Sequence, residues 1–299
     1  MSRSLAGTAS IEALRTVTSS FEGAEERQGQ IDMAYAIAET LAAGRSIIVQ
    51  AGTGTGKSLG YLVPALLNGK KTVVATATKA LQDQLNRNDL PLLSKHLGLD
   101  FSWAVIKGRN NYVCRQRINE LSETAGQLEF EEVSGPTKRE IETIVKWAGK
   151  TRTGDFEELP RVPSERARIA VSVSSDECPG KQKCPVGNDC FAEKARDAAA
   201  AADVIVVNLH IYGLHIASGG SLLPEHEVVI FDEAHQLESV MSDTVGVQLG
   251  SGRFASLASA VRKVIADPTV TSALETQGVR LAQALTPMSG QRLSNPMPT

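Results

Sequence analysis

Short apolar runs separated by amphipathic segments recur along the chain. The runs are "RSIIVQ" (45–50), "KTVVAT" (71–76), "SWAVIKG" (102–108), "ADVIVVN" (202–208) and "HEVVIF" (226–231). Nearly continuous Val- and Ile-rich runs of this length are typical of strands buried on both faces of a parallel sheet. The pattern therefore predicts an α/β fold in which helices flank a parallel sheet, without indicating the order of the strands.

The segments between the first runs have the spacing of helices. Ile31, Tyr35, Ala38 and Leu41 recur at helical intervals, and Gly44 stands where this helix is expected to end. Further predicted helices cover "KSLGYLVPALL" (57–67), in which a proline is expected to cause a kink, and "KALQDQLNR" (79–87).

The alternation of predicted strands and helices is interrupted between residues 108 and 202. The charged helical stretch "TKREIETIVKWAGK" (137–150) alternates there with polar connections, and no strand pattern is visible. We interpret this interval as a mostly helical insertion into the α/β core. Apolar residues are few between 151 and 183, so we expect that burial alone does not hold the insertion together. After residue 238 the chain is Ala-rich and predicted to be helical.

Composition narrows the classes of function. The 299 residues are 42% hydrophobic and 22% charged, as in ordinary globular proteins, and the net charge is −3. A bulk polycation is excluded, so any nucleic-acid contact requires a local basic track. No apolar run approaches the roughly 18 residues of a membrane span. We expect a cytoplasmic protein without a membrane partner, in which thiols stay reduced.

A phosphate-binding loop is indicated by "AGTGTGKS" (51–58), between a predicted strand and a predicted helix. Glycines let the backbone N–H groups surround phosphates, and the helix N-terminus adds partial positive charge. The usual pattern begins with glycine, whereas this chain has Ala51. The alternative is a turn that binds nothing. The candidate residues are Gly52, Thr53, Gly54, Thr55, Gly56, Lys57 for the β- and γ-phosphates, and Ser58 for Mg²⁺.

A second candidate element is "VVIFDEAH" (228–235). A carboxylate at the end of a buried strand needs a partner, and Mg²⁺ beside a phosphate loop is one. Asp232 is therefore a candidate Mg²⁺ ligand, and Glu233 a candidate group to polarise the attacking water. Alone, the acids could instead be favourable residues at a helix N-terminus.

All four cysteines lie within the predicted insertion. Cys114 is followed by Cys178, Cys184 and Cys190 in the loop "CPGKQKCPVGNDC". Clustered cysteines in a reducing compartment favour metal or redox chemistry over disulfides. The spacing fits neither the short pairs of common zinc modules nor bacterial ferredoxin runs, so it leaves zinc and iron–sulfur open.

A candidate nucleic-acid track surrounds the first cysteine. Lys107, Arg109, Arg115 and Arg117 cluster there without an acid among them, as a phosphate backbone would require. Aromatic platforms for single-strand bases could come from Trp103, Tyr112 and Phe191. The alternative is solvated surface charge and core aromatics.

These motifs together resemble the motor of superfamily-two helicases, in particular the XPD/DinG branch. The carrying residues are "GTGTGKS", "DEAH", the Arg-x-x-Gln pattern of Arg27 and Gln30, and the cysteine layout. The resemblance implies ATP and Mg²⁺ as cofactors, with Arg27, Gln30 and His235 at the ATP site and Gln30 at the adenine edge. It also implies a [4Fe–4S] cluster on the four cysteines.

The resemblance further implies a monomeric 5′-to-3′ DNA helicase that translocates on single-stranded DNA, with a link to DNA repair. "ATATKALQDQL" resembles the motif whose threonines, here Thr76 and Thr78, touch the nucleic-acid backbone. In the family an Asn and a His are adjacent before DEAH; here Leu209 separates Asn208 from His210, so that pair receives no role.

The resemblance also implies a domain organisation. It predicts a RecA-like P-loop parallel sheet flanked by helices, with a mostly helical Fe–S insertion and a helical C-terminal segment. The implied parts are 1–107, the first part of motor domain 1; 108–202, the Fe–S insertion; 203–244, the rest of motor domain 1 with DEAH; and 245–299, the incomplete start of a helical arch-like insertion.

No second RecA-like strand series follows DEAH, so we expect an incomplete motor that turns over ATP poorly by itself. Two alternatives remain open at this stage. One is a nucleotide- or nucleic-acid-binding fragment without catalysis. The other is a zinc-containing ATPase that acts on RNA or protein.

Overall fold

A four-stranded parallel sheet lies at the centre of residues 1–244. The strands are β1 (Thr72–Thr76), β2 (Trp103–Val105), β3 (Val204–Asn208) and β4 (Val228–Phe231). They lie in the order β2-β3-β1-β4, with Thr72 opposite both Val204 and Val228. The α/β prediction with a parallel sheet is confirmed.

Both faces of the sheet are covered, as the apolar runs predicted. Because successive strand residues point to opposite faces, Val74 joins one hydrophobic cluster while Val73 and Ala75 join another. The first cluster includes residues of the N-terminal helices, and the second includes Ala199 and Tyr212. The sheet is thus the middle layer of an α/β/α arrangement.

The structure is a computed structural model that describes residues 4–20, 25–52, 54–124, 135–175, 177–245, 251–262, 265 and 267–289. It divides into two units, 1–244 and 245–299. The α-helices of the first unit are α1 (Leu5–Thr18), α2 (Gln28–Ala42), α3 (Lys57–Leu67), α4 (Lys79–Gln84), α5 (Leu90–His96), α6 (Arg115–Thr124), α7 (Gly135–Ala148), α8 (Glu165–Val171), α9 (Phe191–Ala201), α10 (Leu209–Ala217) and α11 (Leu237–Val245).

The second unit contains α12 (Ser251–Arg262) and α13 (Pro268–Leu285). Asp267 caps α13 by accepting a hydrogen bond from the Thr269 N–H at 2.8 Å. The predicted helical character is confirmed for the described part of this segment, and its assignment to an arch stays a prediction. Within the described ranges, no helix is long and apolar enough to cross a membrane.

Residues 45–50 do not form the predicted strand, so that prediction is wrong. This segment has no regular secondary structure and belongs to none of the sheet ladders, and Ile48 is 97% exposed. An apolar run indicates which side chains can be buried. A strand must also be packed beside a neighbouring strand in register, and a local pattern does not encode how distant segments pack.

The insertion has a hydrophobic core of its own, contrary to our expectation. Ile141 and Ile144 of α7, Phe156, Val171 of α8 and Phe191 of α9 are buried together. The expectation failed because it counted apolar residues in one sequence interval. The core combines Phe156 and Val171 from that interval with residues of the helices before and after it.

Candidate functional site

The phosphate loop wraps around the start of α3. Gly56 immediately precedes Lys57 with φ 78°, and a Cβ at this position would collide with the Gln30 amide. Only glycine fits, because the conformation is left-handed and the approach is close. The Thr55 hydroxyl donates to the Gly52 carbonyl at 2.9 Å. Thr53 lies outside the described residues.

The entry helix α2 is bonded directly to this loop. The Gln30 side-chain amide donates to the Gly56 carbonyl at 2.8 Å, and the Arg27 guanidinium donates to the Gly54 carbonyl. Gln30 is buried, so this bond is not freely replaced by water. Both predicted site residues therefore meet the loop, and the adenine contact of Gln30 stays a prediction.

The phosphate-loop lysine and the glutamate of DEAH share one site. Lys57 Nζ lies 2.8 Å from Glu233 Oε1, although 176 positions separate them in the sequence. The hydrogen bond from Lys57 lowers the pKa of Glu233, and the Lys57 charge adds to this effect. Glu233 is thus held as a carboxylate directly beside the loop.

Glu233 also has an unusual backbone. Its φ of 56° and ψ of 44° make it the one non-glycine residue with positive φ in the part of the chain that the structure describes. A left-handed conformation costs a residue with a side chain about 1–3 kcal/mol and is found preferentially at functional sites. His235 Nδ1 lies 3.4 Å from Glu233 Oε2 and is largely exposed.

Asp232 occupies the carboxyl end of β4. Its N–H continues the ladder to the Ala75 carbonyl at 2.9 Å, and its side chain is buried. One carboxylate oxygen accepts from the Glu233 N–H at 3.0 Å, and the other from the Tyr61 hydroxyl at 3.2 Å. Burial, and then the Asp232 charge, raise the pKa of Tyr61 well above its usual value, so Tyr61 remains a donor.

These oxygens suit a hard cation. Ser58 lies on α3 three residues before Tyr61, and the Tyr61 hydroxyl donates to Asp232, so the hydroxyl and the carboxylate predicted to bind Mg²⁺ both lie near Tyr61. Mg²⁺ takes one or two protein oxygens together with phosphate and water. The donor set therefore fits Mg²⁺-ATP. Tyr61 was not predicted, and only its position three residues after Ser58 on α3 would have indicated it.

All four cysteines line one pocket in the insertion. Cys114 lies at the start of α6 and Cys190 at the start of α9, while Cys184 lies in a turn where its N–H bonds the Gly180 carbonyl at 3.1 Å. All four are free thiols. Helix N-termini favour thiolates.

The pocket is not a ready-made metal site. Within the ranges that the structure covers, no three His, Cys, Asp or Glu side chains converge closely enough to hold an ion. Burial raises the pKa of Cys114, against the opposing effect of the Arg117 and Gln116 N–H groups. The donor set of four thiols in one pocket fits either a zinc ion or an iron–sulfur cluster, and the geometry does not choose between them.

A buried ion pair adjoins the thiols. Arg109 and Glu193 both line the pocket and bond each other, and both side chains are nearly buried. Burial by itself lowers the pKa of Arg109. The hydrogen bond to Glu193 and the charges of Glu193, Cys178 and Cys190 have the larger, opposite effect, so the pKa of Arg109 is raised. Arg109 is thus a fixed positive charge beside two of the sulfurs, a role that we had not predicted.

The predicted basic track is wrong for its buried members. Lys107 is 8% exposed, and its Nζ lies 2.7 Å from Asp155 and also bonds Glu157. Arg109 is neutralised by Glu193. No acid stands close to Lys107 or Arg109 in the sequence. In the fold, Lys107 meets Asp155, 48 positions away, and Arg109 meets Glu193, 84 positions away.

The two remaining cations of the track are also engaged. The Arg115 guanidinium lies 4.4 Å above the Phe191 ring, and its Nε donates to the Asp189 carbonyl at 3.1 Å. Arg117 lies 3.6 Å from Glu120. Lys107 and Arg109 are therefore not free to bind phosphate, whereas a phosphate contact of Arg115 or of Arg117, whose side chain is 42% exposed, stays a prediction.

Three of the aromatic and threonine side chains predicted to contact nucleic acid, Tyr112, Phe191 and Thr76, are buried. Tyr112 and Phe191 are buried in the core of the insertion, and the Trp103 indole donates to Asn86 at 3.0 Å. Thr76 is buried in β1, so its side chain cannot reach a nucleic-acid backbone. Thr78 is exposed and caps α4 by accepting from the Leu81 N–H.

Comparison with known proteins agrees with this geometry. Residues 32–130 match the DEAD/DEAH box helicase family. The ATP-dependent helicase DinG of Mycobacterium tuberculosis (strain H37Rv) is 36% identical over 294 residues, which is 92% of this chain and 44% of that protein. The ATP-dependent DNA helicase YoaA of Escherichia coli K12 is 38% identical over 88% of this chain and 41% of that protein.

A third relative has a different printed activity. The 3′-5′ exonuclease DinG of Bacillus subtilis (strain 168) is 28% identical over 75% of this chain and 24% of that protein. The chain spans less than half the length of each of these three relatives.

Proposed function

Because the chain is related to the DinG-like helicases over most of its length, we propose that it carries the ATP-hydrolysing site of a DNA helicase. The observation that supports this most directly is the 2.8 Å contact of Lys57 with Glu233, which joins the phosphate loop to the DEAH segment. We propose that the helicase acts as a monomer and moves along single-stranded DNA in the 5′-to-3′ direction. We further propose that it takes part in DNA repair in the cytoplasm.

The residues have defined roles in this proposal. Lys57 leaves Glu233 for the β- and γ-phosphates, which frees the Glu233 carboxylate to orient a water and take its proton. Ser58 and Asp232 hold Mg²⁺, which neutralises charge on the phosphates when it is bound. Arg27 and Gln30 hold the loop through its carbonyls. The predicted need for a second RecA-like domain, with its arginine finger, stays a prediction.

We propose that the four-thiol pocket holds a [4Fe–4S] cluster. The support is the shared pocket, the exclusively thiol donor set, and the cationic Arg109 beside it. Bound there, the cluster would join the loop of Cys178, Cys184 and Cys190 to the start of α6 at Cys114. Since the insertion has its own hydrophobic core, we expect ligand loss to loosen this loop rather than unfold the whole insertion.

An ATPase assay tests the nucleotide proposal. Hydrolysis by the full chain is measured with and without single-stranded DNA and compared with Lys57→Ala and Glu233→Gln. The proposal expects slow hydrolysis that DNA stimulates and that falls further in Glu233→Gln while nucleotide binding persists. Equal rates in wild type and Lys57→Ala would support the non-catalytic alternative. Efficient strand separation by this chain alone would refute the prediction of an incomplete motor.

Anaerobic purification tests the cluster. We expect a brown protein with broad visible absorbance and about four iron atoms and four sulfides per chain. Both should be lost in Cys184→Ser, while the far-ultraviolet circular dichroism is retained. A colourless protein that contains zinc would instead favour the zinc ATPase alternative.

A further inference from the structure

One face of α3 contacts both acids of the DEAH segment. Lys57 begins this helix and Tyr61 follows four positions later, so the two side chains lie on the same face, one turn apart. Lys57 Nζ lies 2.8 Å from Glu233 Oε1, and the Tyr61 hydroxyl oxygen lies 3.2 Å from Asp232 Oδ2. Tyr61 therefore stands to the candidate Mg²⁺ ligand as Lys57 stands to the candidate group that acts on water.

The Tyr61 hydroxyl does something that its ring does not. The ring is buried in the same hydrophobic cluster as Leu62 and Val74, where a phenylalanine would fill the same space. A buried tyrosine hydroxyl needs a hydrogen-bond partner, and here that partner is the Asp232 carboxylate. Packing thus accounts for the ring, and the contact with Asp232 accounts for the hydroxyl.

The Asp232 carboxylate is held at both of its oxygens. Oδ1 accepts from the Glu233 N–H at 3.0 Å, and Oδ2 accepts from the Tyr61 hydroxyl at 3.2 Å. Rotation of the carboxylate would break both hydrogen bonds. Each oxygen has two acceptor positions, so one position on each remains for a cation or for water bound to it. The two donors therefore fix the orientation of the carboxylate and leave it able to bind a metal.

The orientation of a ligand oxygen matters for Mg²⁺ in particular, because this ion demands a nearly ideal octahedral geometry. Groups that orient a metal ligand typically contribute about 10–100-fold to metal affinity. The Glu233 donor belongs to the main chain and remains whatever side chain follows Asp232. The Tyr61 hydroxyl is the side-chain donor, so a single substitution can remove it.

We propose that Tyr61 is a positioning residue for Mg²⁺: its hydroxyl donates to Asp232 and holds the carboxylate in the orientation that binds the metal. This inference rests on the proposed nucleotide site. Tyr61 itself stays outside the coordination sphere and acts through Asp232.

The test is a Mg²⁺ titration of the binding of a fluorescent ATP analogue to the full chain. Tyr61→Phe should raise the Mg²⁺ concentration for half-saturation about 10–100-fold, while analogue binding in EDTA stays unchanged. Ca²⁺ accepts a more flexible geometry, so half-saturation with Ca²⁺ should shift less. Tyr212→Phe is the matched control, because it removes a hydroxyl 3.3 Å from His226 Nε2 and should leave both titrations as in wild type.

A double variant shows whether the effect passes through Asp232. If it does, Tyr61→Phe should add no further loss in an Asp232→Ala background; independent, additive losses would overturn the positioning role. Equal shifts for Mg²⁺ and Ca²⁺, or weaker analogue binding in EDTA, would show a general structural role and overturn it as well. So would an unchanged Mg²⁺ requirement in Tyr61→Phe, with the nucleotide site left intact. If the wild type itself binds no analogue, the proposed function fails together with this inference.

Discussion

Replacing Lys107 by methionine separates a structural role from a DNA-binding role. Lys107 is 8% exposed, and its two carboxylate partners, Asp155 and Glu157, are 17% and 23% exposed. Asp83 lies 3.9 Å from the same ammonium group. Methionine preserves most of the apolar stem, so the substitution removes the charge and little packing.

The expected loss follows from the burial of the partners. Removing one member of a fully buried ion pair costs about 3–5 kcal/mol, because the other charge is left uncompensated. The carboxylates here retain some solvent contact, so we expect a smaller loss of about 2–3 kcal/mol in the free energy of unfolding. For a unit of this size that corresponds to a Tm lower by about 4–12 °C.

Thermal unfolding followed by circular dichroism measures this loss, with the exposed Lys150→Ala as control. Asp155→Asn in the Lys107→Met background should cost less than Asp155→Asn alone, since the pair is already broken. DNA affinity should keep its salt dependence. An unchanged Tm, together with a salt slope reduced by about one, would identify Lys107 as a phosphate contact and refute this reasoning.

Two further predictions concern the insertion and the sheet. Arg109→Met should leave Glu193 and the thiols with a weaker countercharge that includes Arg196, 3.9 Å from Glu193, so bound metal should be lost faster to a chelator. Glu193→Gln in the same chain should restore part of the retention. Equal retention in all three proteins would contradict this. Burial and then His226 lower the pKa of His215. The unfolded chain therefore takes up a proton that the folded chain resists, and stability should fall as the pH drops below about 6.5. His215→Asn should flatten the dependence of Tm on pH in that range, whereas the control His96→Asn should not. Parallel Tm curves for wild type and His215→Asn would show that His215 is not the group responsible.

The Lys57–Glu233 contact has a mechanistic implication of its own. The group proposed to act on water is engaged here by the lysine proposed to bind phosphate. In the proposed function, binding of Lys57 to phosphate would break this pair and release Glu233. The strained backbone of Glu233 lies at this same contact.

Local sequence patterns determined much of the nucleotide site. Each phosphate-loop feature is encoded in consecutive residues, because glycines set the backbone and the helix N-terminus follows directly. Asp232 was also predictable, because it directly follows a buried parallel strand and therefore lies at the carboxyl end of the sheet. The α/β fold was also predictable, because buried strands and amphipathic helices leave distinct periodicities. Ile11 and Leu14 on α1 carry such a signal, although we did not predict that helix.

Only the tertiary structure decided which groups meet. Residues 45–50 have the composition of a strand but lie outside the sheet, because pairing depends on how distant segments pack. Lys107 is neutralised by Asp155, and Arg109 by Glu193, through elements that approach after long connections. Charge and hydrophobicity are properties of one residue and can be found in the sequence. Hydrogen-bonding and ion-pair partners depend on how distant segments pack, so they appear only in the folded chain.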